Sequence, residues 1–490
     1  MATACIVGSA AAYGPSLQPA PSQQNRRAAS AQLNFMKDAS GISGSADERS
    51  AREREAALAA WLEEQGVWLS DKYSWGKTAH PLRMESETVE DFEISGRGLL
   101  ARKEIQQGES ILTVPPQCLM TKQRAMQEMG TKIVPESMGE YVALALFLIH
   151  ERSLGASSFF APYIDILPTV EEVGQTWTWN EEDLALLTGS GVLASTASLR
   201  AKLKADHALV LEETIRPNGL NEETYSWDAW EWAFSMLFSR AINLRETEEL
   251  ALVPYADLLN HSPYCSSYFF YNKIPFSKDR EVTLYADRAY AKNDQVLISY
   301  GQKANSELIL LYGFVVDRNL FDEVDITISL DPSDPRYDEK VDFLRMQGLQ
   351  PSMAFPLLID RYSSELMQYL RLACVTPSMG ELASYKYNAR ISLENERNAF
   401  NVLRDGCLAA LDAYPETEKD DAKLMENGRM FSVLSRNARM AIKLRRNEKR
   451  ILLRTIATCE QGLEALENVG MPTPRGAGEE RQPLGGTFWG

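Results

Sequence analysis

The sequence predicts an α+β chain whose β part is split by a helical block and followed by a mostly helical region. Three observations carry that expectation. Phe92 to Val114 alternates in short strand-like pieces broken by Gly96, Gly98 and Gly108. Short β segments return from Leu252 to Phe314, among them Val282 to Tyr285 and Gln295 to Tyr300. Beyond about residue 335, apolar residues recur at the 3.6-residue period of helices, in Leu366 to Cys374, Leu393 to Tyr414 and Met430 to Leu466.

The elements divide the chain as follows. Residues 1–50 read as a disordered leader or transit peptide plus a linker, because residues 1–37 lack Asp and Glu, are rich in Ala, Ser, Gln and Pro, and carry Arg26, Arg27 and Lys37. Residues 51–117 open with a helix, in which Leu58, Trp61, Leu62 and Gln65 share a face and Gly66 suits the C-terminal cap. The helical block is 118–235, with helices expected at Tyr141 to Ser153, Glu181 to Leu187, Leu199 to Glu213 and Asp228 to Asn243, and an aromatic loop from Phe159 to Pro168. The second β part is 236–325, the helical C-terminal domain 335–466, and 467–490 a disordered Gly- and Pro-rich tail.

Composition narrows the function. With 490 residues, 44% of them hydrophobic, the chain can bury the cores of two to four domains. No stretch approaches the roughly 18 apolar residues of a membrane span, and Val142 to Ile149 reads as a buried helix segment. The net charge of −17 argues against nucleic acid as the main partner, and the strip Lys443-Leu444-Arg445-Arg446 reads as a solvated helix face. Six cysteines without a C-x-x-C pair, and four histidines without an H-x-x-x-H pair, predict reduced thiols and no bound metal.

Two polar stretches set between apolar residues point to a site. One is Asp257-Leu258-Leu259-Asn260-His261-Ser262; the other runs from Ile298 through Ser299, Tyr300, Gly301 and Asn305 to Tyr312-Gly313-Phe314. Buried polar side chains are costly unless each finds a partner, so two such stretches predict one shared site. A third is Ser95-Gly96-Arg97-Gly98, expected as a turn where glycine lets the backbone approach a ligand closely. Asp257 lies three residues before Asn260, which one helical turn would bring together.

These stretches resemble the motifs of SET-domain methyltransferases, written D-x-x-N-H and S-Y-G-x-x-x-N-x-E ending in Y-G-F, with the glycine segment as the N-terminal cofactor loop. Their order and the intervening block resemble the branch that contains the Rubisco large-subunit and actin-histidine methyltransferases. Trp232-Ala233, Ser239-Arg240 and the helix Ser435 to Lys449 resemble that branch as well. The resemblance covers roughly residues 52–466. Ser95 and Arg97 depart from the acidic and apolar residues that many members carry at those positions.

The resemblance implies a SET β fold with a pseudoknot, a helical insertion and a substrate-binding helical domain. It implies S-adenosyl-L-methionine as methyl donor and a protein as substrate, with a lysine amine as the favoured acceptor. Tyr300 is then the catalytic residue. Ser95, Gly96, Arg97, Gly98, Arg240, Asp257, Asn260, His261, Tyr312, Gly313 and Phe314 are the expected cofactor residues. Candidate substrates are the Rubisco large subunit or plastid aldolase, with the chloroplast as the compartment and the cytoplasm as the alternative. Two rival readings remain open: histidine methylation of an actin-type protein, and a SET-derived binding module without turnover. The sequence leaves the oligomeric state open.

Overall fold

The structure, a computed structural model, describes residues 46–468 apart from 74–77, 91–92, 245–246, 268, 278, 380–381, 383–386 and 388. The expected leader lies almost wholly outside the described residues, as does the tail apart from its first two residues.

Helix α1 (Ala46–Glu64) packs Leu58, Trp61 and Leu62 into the main core. Strands β1 (Leu82–Glu90) and β2 (Glu93–Ala101) pair antiparallel, with register shifts around Thr88. The Ser95–Gly98 segment is therefore not the turn that its glycines suggested but an irregular part of β2, with Gly96 at φ +70°. A bulge of this kind bends a strand and re-aims its backbone. Strand β3 (Ser110–Val114) joins the later β8 and β9 in one three-stranded sheet, and β4 (Met120–Thr121) joins β5 and β6 in another.

The helical block between them holds α2 (Lys122–Met129), capped by Thr121, and α3 (Glu140–Ser153), whose Ala143 to Ile149 are buried. It also holds α4 (Val192–Val210) and α5 (Trp227–Arg240), capped by Ser226. The stretch from Phe159 to Pro168 contains a helical turn, Ala161–Ile164. Helix α5 stops at Arg240 rather than Asn243, because β5 (Ile242–Leu244) turns away to pair with β6 (Glu249–Leu252).

Then follow β7 (Asn260–His261), β8 (Phe269–Lys273), β9 (Arg280–Tyr285), β10 (Leu297–Ile298) and α6 (Asn305–Tyr312). The extended stretch at Gln295 to Tyr300 thus narrows to two residues, which pair in parallel with β7: Leu297 with Asn260 and Ile298 with His261.

The C-terminal region has its own core, built on α7 (Tyr337–Met346), α8 (Ser364–Ala373), α9 (Leu393–Asp412), α10 (Glu418–Glu426) and α11 (Arg436–Asn468). An antiparallel pair, β11 (Glu323–Ser329) with β12 (Ser352–Leu358), is built into this core. A third cluster lies at the junction, where Met440, Ala441 and Leu444 of α11 meet Trp179, Leu187 and Ile309.

The basic strip on α11 is not solvated. Lys443 is 3% exposed and lies 3.6 Å from Asp317, while Arg445 pairs with Glu416 and the buried Asp421. Helix α11 presents this face to neighbouring elements, so the charges were recruited for interfaces. Arg436 on the same helix donates to the carbonyls of Val173 and Gly313. Among the described residues, no helix is long and apolar enough to cross a membrane, and no group of His, Cys, Asp or Glu could hold a metal. Cys118, Cys265, Cys374, Cys407 and Cys459 are free thiols.

Candidate functional site

The parallel β7–β10 pair sets the geometry. It brings His261 beneath Tyr300, ring centroids 5.1 Å apart and nearly parallel at 27°. The Tyr300 N–H donates to His261 Nδ1 at 3.1 Å. An accepting Nδ1 places the imidazole proton on Nε2, a buried atom with no hydrogen-bond partner. Burial, with the nearby Lys303 charge, lowers the His261 pKa to about 4, so the ring is neutral.

On its other side, Tyr300 stacks on Tyr312 at 5.1 Å and 26°, and Phe314 stands edge-on to it at 6.5 Å. The Tyr300 hydroxyl donates to the Leu259 carbonyl at 2.7 Å. Its ring is reachable from a cavity, yet the surrounding protein desolvates the hydroxyl and pushes the phenol pKa up. The phenol is therefore neutral and its proton is committed.

That cavity, about 170 Å³, is lined by Ser239, Arg240, Ile242, Asn243, Asp257, Leu259, Phe269, Tyr300 and Tyr312 among others. Arg240, from the last turn of α5, reaches the buried Asp257 carboxylate and the Asp257 carbonyl with Nη1, both at 3.2 Å. Tyr163 donates to the same carboxylate oxygen at 2.8 Å. Asp257 Oδ1 and Arg240 Nε are buried without partners. Burial raises the Asp257 pKa, against the pull of Arg240. The backbone that aims Asp257 is strained, since Tyr255 sits at φ +71° just before the helical turn Ala256–Leu258. A non-glycine residue held there costs about 1–3 kcal/mol and needs surroundings that enforce it.

Asn260 faces elsewhere. Its Nδ2 lies within hydrogen-bond reach of Gln295 Oε1 (2.9 Å), Thr88 Oγ1 (3.1 Å) and the Arg97 carbonyl (3.3 Å). Asp257 and Asn260 thus do not share the helical turn their spacing suggested, because Asn260 has already entered β7. Gly98 belongs to the Asn260 group: a Cβ there would lie 2.6 Å from Gln295 Oε1 and 3.0 Å from Asn260 Nδ2. Arg97 joins the two groups. It donates through Nη2 to the Ile166 carbonyl, interacts electrostatically with Arg240 and Asp257, and has a buried Nε without a partner. Ser95 and Gly96 lie just before it on β2.

Gly313 has a structural task. It ends α6 at φ +75°, and a Cβ there would lie 2.0 Å from the Val173 carbonyl. Asn305 is a latch rather than a wall: its side chain bonds Val316 and Asp322. Sequence reasoning missed Tyr163, Thr88, Gln295 and the Leu259 carbonyl. Thr88 and Gln295 lie far along the chain and the Leu259 carbonyl is backbone, so no local pattern marks them, whereas Tyr163 stood in the expected aromatic loop without a role at the site.

Similarity to known proteins identifies the family. The family model described as "SET domain" matches residues 96–301, and that described as "Rubisco LSMT substrate-binding" matches 331–452. The chain is 30% identical over 409 residues to the chloroplastic [fructose-bisphosphate aldolase]-lysine N-methyltransferase of Arabidopsis thaliana, covering 80% of each. It belongs to the SET-domain protein methyltransferases. The Rubisco large subunit N-methyltransferase of Pisum sativum is 30% identical, with 82% of this chain and 81% of that one covered. The actin-histidine N-methyltransferase of Mus musculus is 28% identical, covering 82% and 72%. A crystal structure of the SET domain of LSMT bound to lysine and AdoHcy superposes with a TM-score of 0.70 at 28% identity, covering 85% of this chain and 93% of that one.

As a member of this family, the SET-domain chain is an S-adenosyl-L-methionine-dependent protein methyltransferase. The site fits such a donor. Its carboxylate and ammonium ends need polar partners, and the buried side-chain atoms without a partner include four from these site residues: Arg240 Nε, Arg97 Nε, His261 Nε2 and Asp257 Oδ1. The small Gly98 leaves the Asn260 amide room beside β2.

Proposed function

We propose that this chain methylates a lysine ε-amine on a non-histone protein. The observation that carries the reading is the Tyr300 hydroxyl in the cavity wall, its proton donated to Leu259 O. With that proton committed, the oxygen's remaining lone pairs are what it can offer a reacting group. They can accept an amine N–H or meet the partial positive charge of a methyl in transfer. A lysine suits the walls, because Ile242, Phe269 and Tyr312 would take its methylene stem while the amine reaches Tyr300.

The acceptor nitrogen must be neutral. Desolvation in the cavity disfavours an ammonium. A lone Asp257 carboxylate would oppose this, and Arg240 offsets its charge. A buried neutral phenol cannot serve as the base, so proton loss to water precedes transfer. When bound, the sulfonium donor supplies an already activated methyl group. We assign Arg240 and Arg97 to its carboxylate end, Asn260 and the Ser95–Gly98 backbone to its amino-acid part, and His261 and Phe314 to its remaining flank. Tyr312 supports Tyr300, and Gly313 supports Phe314.

We further propose that residues 335–466 dock the protein substrate and that the chain works in a plastid, with Rubisco large subunit or aldolase as substrate. The relatives named for those two substrates support this reading. Incubation with each protein and with lysine or histidine peptides, followed by mass spectrometry, tests it. Methylated lysine is expected; modification confined to histidine would refute it. A histidine acceptor is the second reading, because the Asn243 amide at the cavity could orient an imidazole.

A further inference from the structure

A second cavity, about 520 Å³, lies between the SET segment after α6 and helices α10 and α11 of the C-terminal domain. It is larger than the cavity at Tyr300. Its walls combine apolar side chains with arginines. Leu320 is 52% exposed, and Met425 faces it from α10. Arg318, Arg446 and Arg450 also line the space.

These arginines differ in how they are paired. Arg446 is engaged by Glu418 at 3.1 Å. Among the described residues no ion pair engages Arg318 or Arg450. The carboxylates on the same walls are already used. Asp317 pairs with Lys443, and the buried Asp322 accepts from the Asn305 N–H and Nδ2 at 3.0 and 2.6 Å. Arg450 interacts electrostatically with Asp322 without forming an ion pair with it. The chain carries a net charge of −17, so a groove of mixed apolar and polar walls with two guanidiniums outside any ion pair is a local basic feature on an acidic chain.

The groove is also held in shape. Tyr264 donates to the Arg318 carbonyl at 2.9 Å, and Asn319 to the Lys303 carbonyl at 2.7 Å. Lys303 and Asn305 belong to the segment that follows Tyr300, so the same stretch of chain supports both cavities. A preformed groove spares a partner part of the ordering cost.

We propose that this groove docks an acidic segment of the protein substrate, its carboxylates on Arg318 and Arg450 and an apolar side chain between Leu320 and Met425. The proposal rests on the reading of this chain as a protein methyltransferase, and deepens it by naming the chemistry that the substrate must carry away from the modified lysine. Guanidinium forks suit carboxylates, and charges of this kind govern encounter rate and partner choice.

The test uses the full chain without methyl donor, so it does not depend on turnover. A fluorescein-labelled peptide of repeated Glu-Glu-Leu is titrated by fluorescence anisotropy. Saturable binding is expected, weakening at least tenfold in Arg318→Glu/Arg450→Glu, with no binding of the Lys-Lys-Leu counterpart. Arg318→Gln/Arg450→Gln guards against a folding defect; it should keep the wild-type unfolding midpoint and still lose several-fold affinity. Methylation of a short neutral lysine peptide should stay within twofold in both variants. Equal affinity of wild type and variants would overturn the proposal, as would absence of binding. Displacement of the peptide by low-millimolar inorganic phosphate would also overturn it, marking a small-anion site instead.

Discussion

Replacing Tyr300 by Phe isolates one oxygen. The ring remains, so the stacks on His261 and Tyr312 at 5.1 Å each should persist. The Tyr300 N–H bond to His261 Nδ1 is backbone and is untouched. Two things go: the hydrogen bond to Leu259 O and the oxygen facing the cavity. The first leaves a carbonyl short of a donor, a stability loss of about 1–3 kcal/mol. The second removes a preorganised dipole from the reacting centre. Losses of that kind run to about 2.7–4 kcal/mol of transition-state stabilisation, which is two to three decades in rate at about 1.4 kcal/mol per decade. The assay is transfer of a labelled methyl group to a lysine substrate under saturating donor, with donor affinity measured separately by calorimetry. The expected result is kcat down about 100- to 1000-fold with donor affinity changed less than fivefold. A turnover within fivefold of wild type would refute the role given to Tyr300. An equal loss of donor affinity would move it from the reacting centre to the donor pocket.

Arg240→Met should lose about 3–5 kcal/mol of unfolding free energy in denaturant titration, since it strands the buried Asp257 carboxylate with Tyr163 as its remaining side-chain partner. Gly98→Ala drives a Cβ against Gln295 and Asn260, so donor affinity by calorimetry should fall at least tenfold with about 1–3 kcal/mol of stability. Gly313→Ala meets the Val173 carbonyl at 2.0 Å from a left-handed backbone, and thermal unfolding should show the larger loss of the two glycine changes. Burial raises the Glu448 pKa to about 7, above the 4.5 of an unperturbed side chain. The folded state then holds that proton more tightly, so stability is fullest below pH 4.5 and declines as pH rises through 7. Glu448→Gln, which can keep the Ser190 and Tyr414 bonds, should flatten that decline by up to about 3 kcal/mol between pH 5 and 8, read by denaturation at each pH.

Much of this site could be read from the chain because its chemistry sits in short polar runs inside apolar ones. Asn260-His261 and Tyr300 stood out that way, and the structure stacks His261 on Tyr300. The helices at Tyr141 to Ser153 and Leu393 to Tyr414 were legible for the same reason: long periodic apolar faces leave little ambiguity. Other features had no local signature. The β1–β2 irregularity places Gly96 and Gly98 within a strand, although glycines at that spacing look like a turn. The partners of Asn260, namely Thr88 and Gln295, and the partner of Asp257, Tyr163, are decided by tertiary contact. Lys443 and Arg445 looked solvated because a basic helix face usually is, yet neighbouring segments claim them through Asp317 and Asp421. Strand β12 went unrecognised because Ser352–Leu358 carries a proline and only a short alternation.

The two-rung parallel ladder between β7 and β10 has a cost beyond geometry. Local chain preferences cannot form it: the chain between the two strands, which carries the β8–β9 hairpin, has to be brought round, and the rungs help repay that closure entropy. Collapsed intermediates lacking the ladder would keep their helices and most of their apolar contacts, yet hold no juxtaposed imidazole and phenol. Methyl transfer should therefore switch on among the last events of refolding, which makes turnover a stricter gauge of nativeness than circular dichroism.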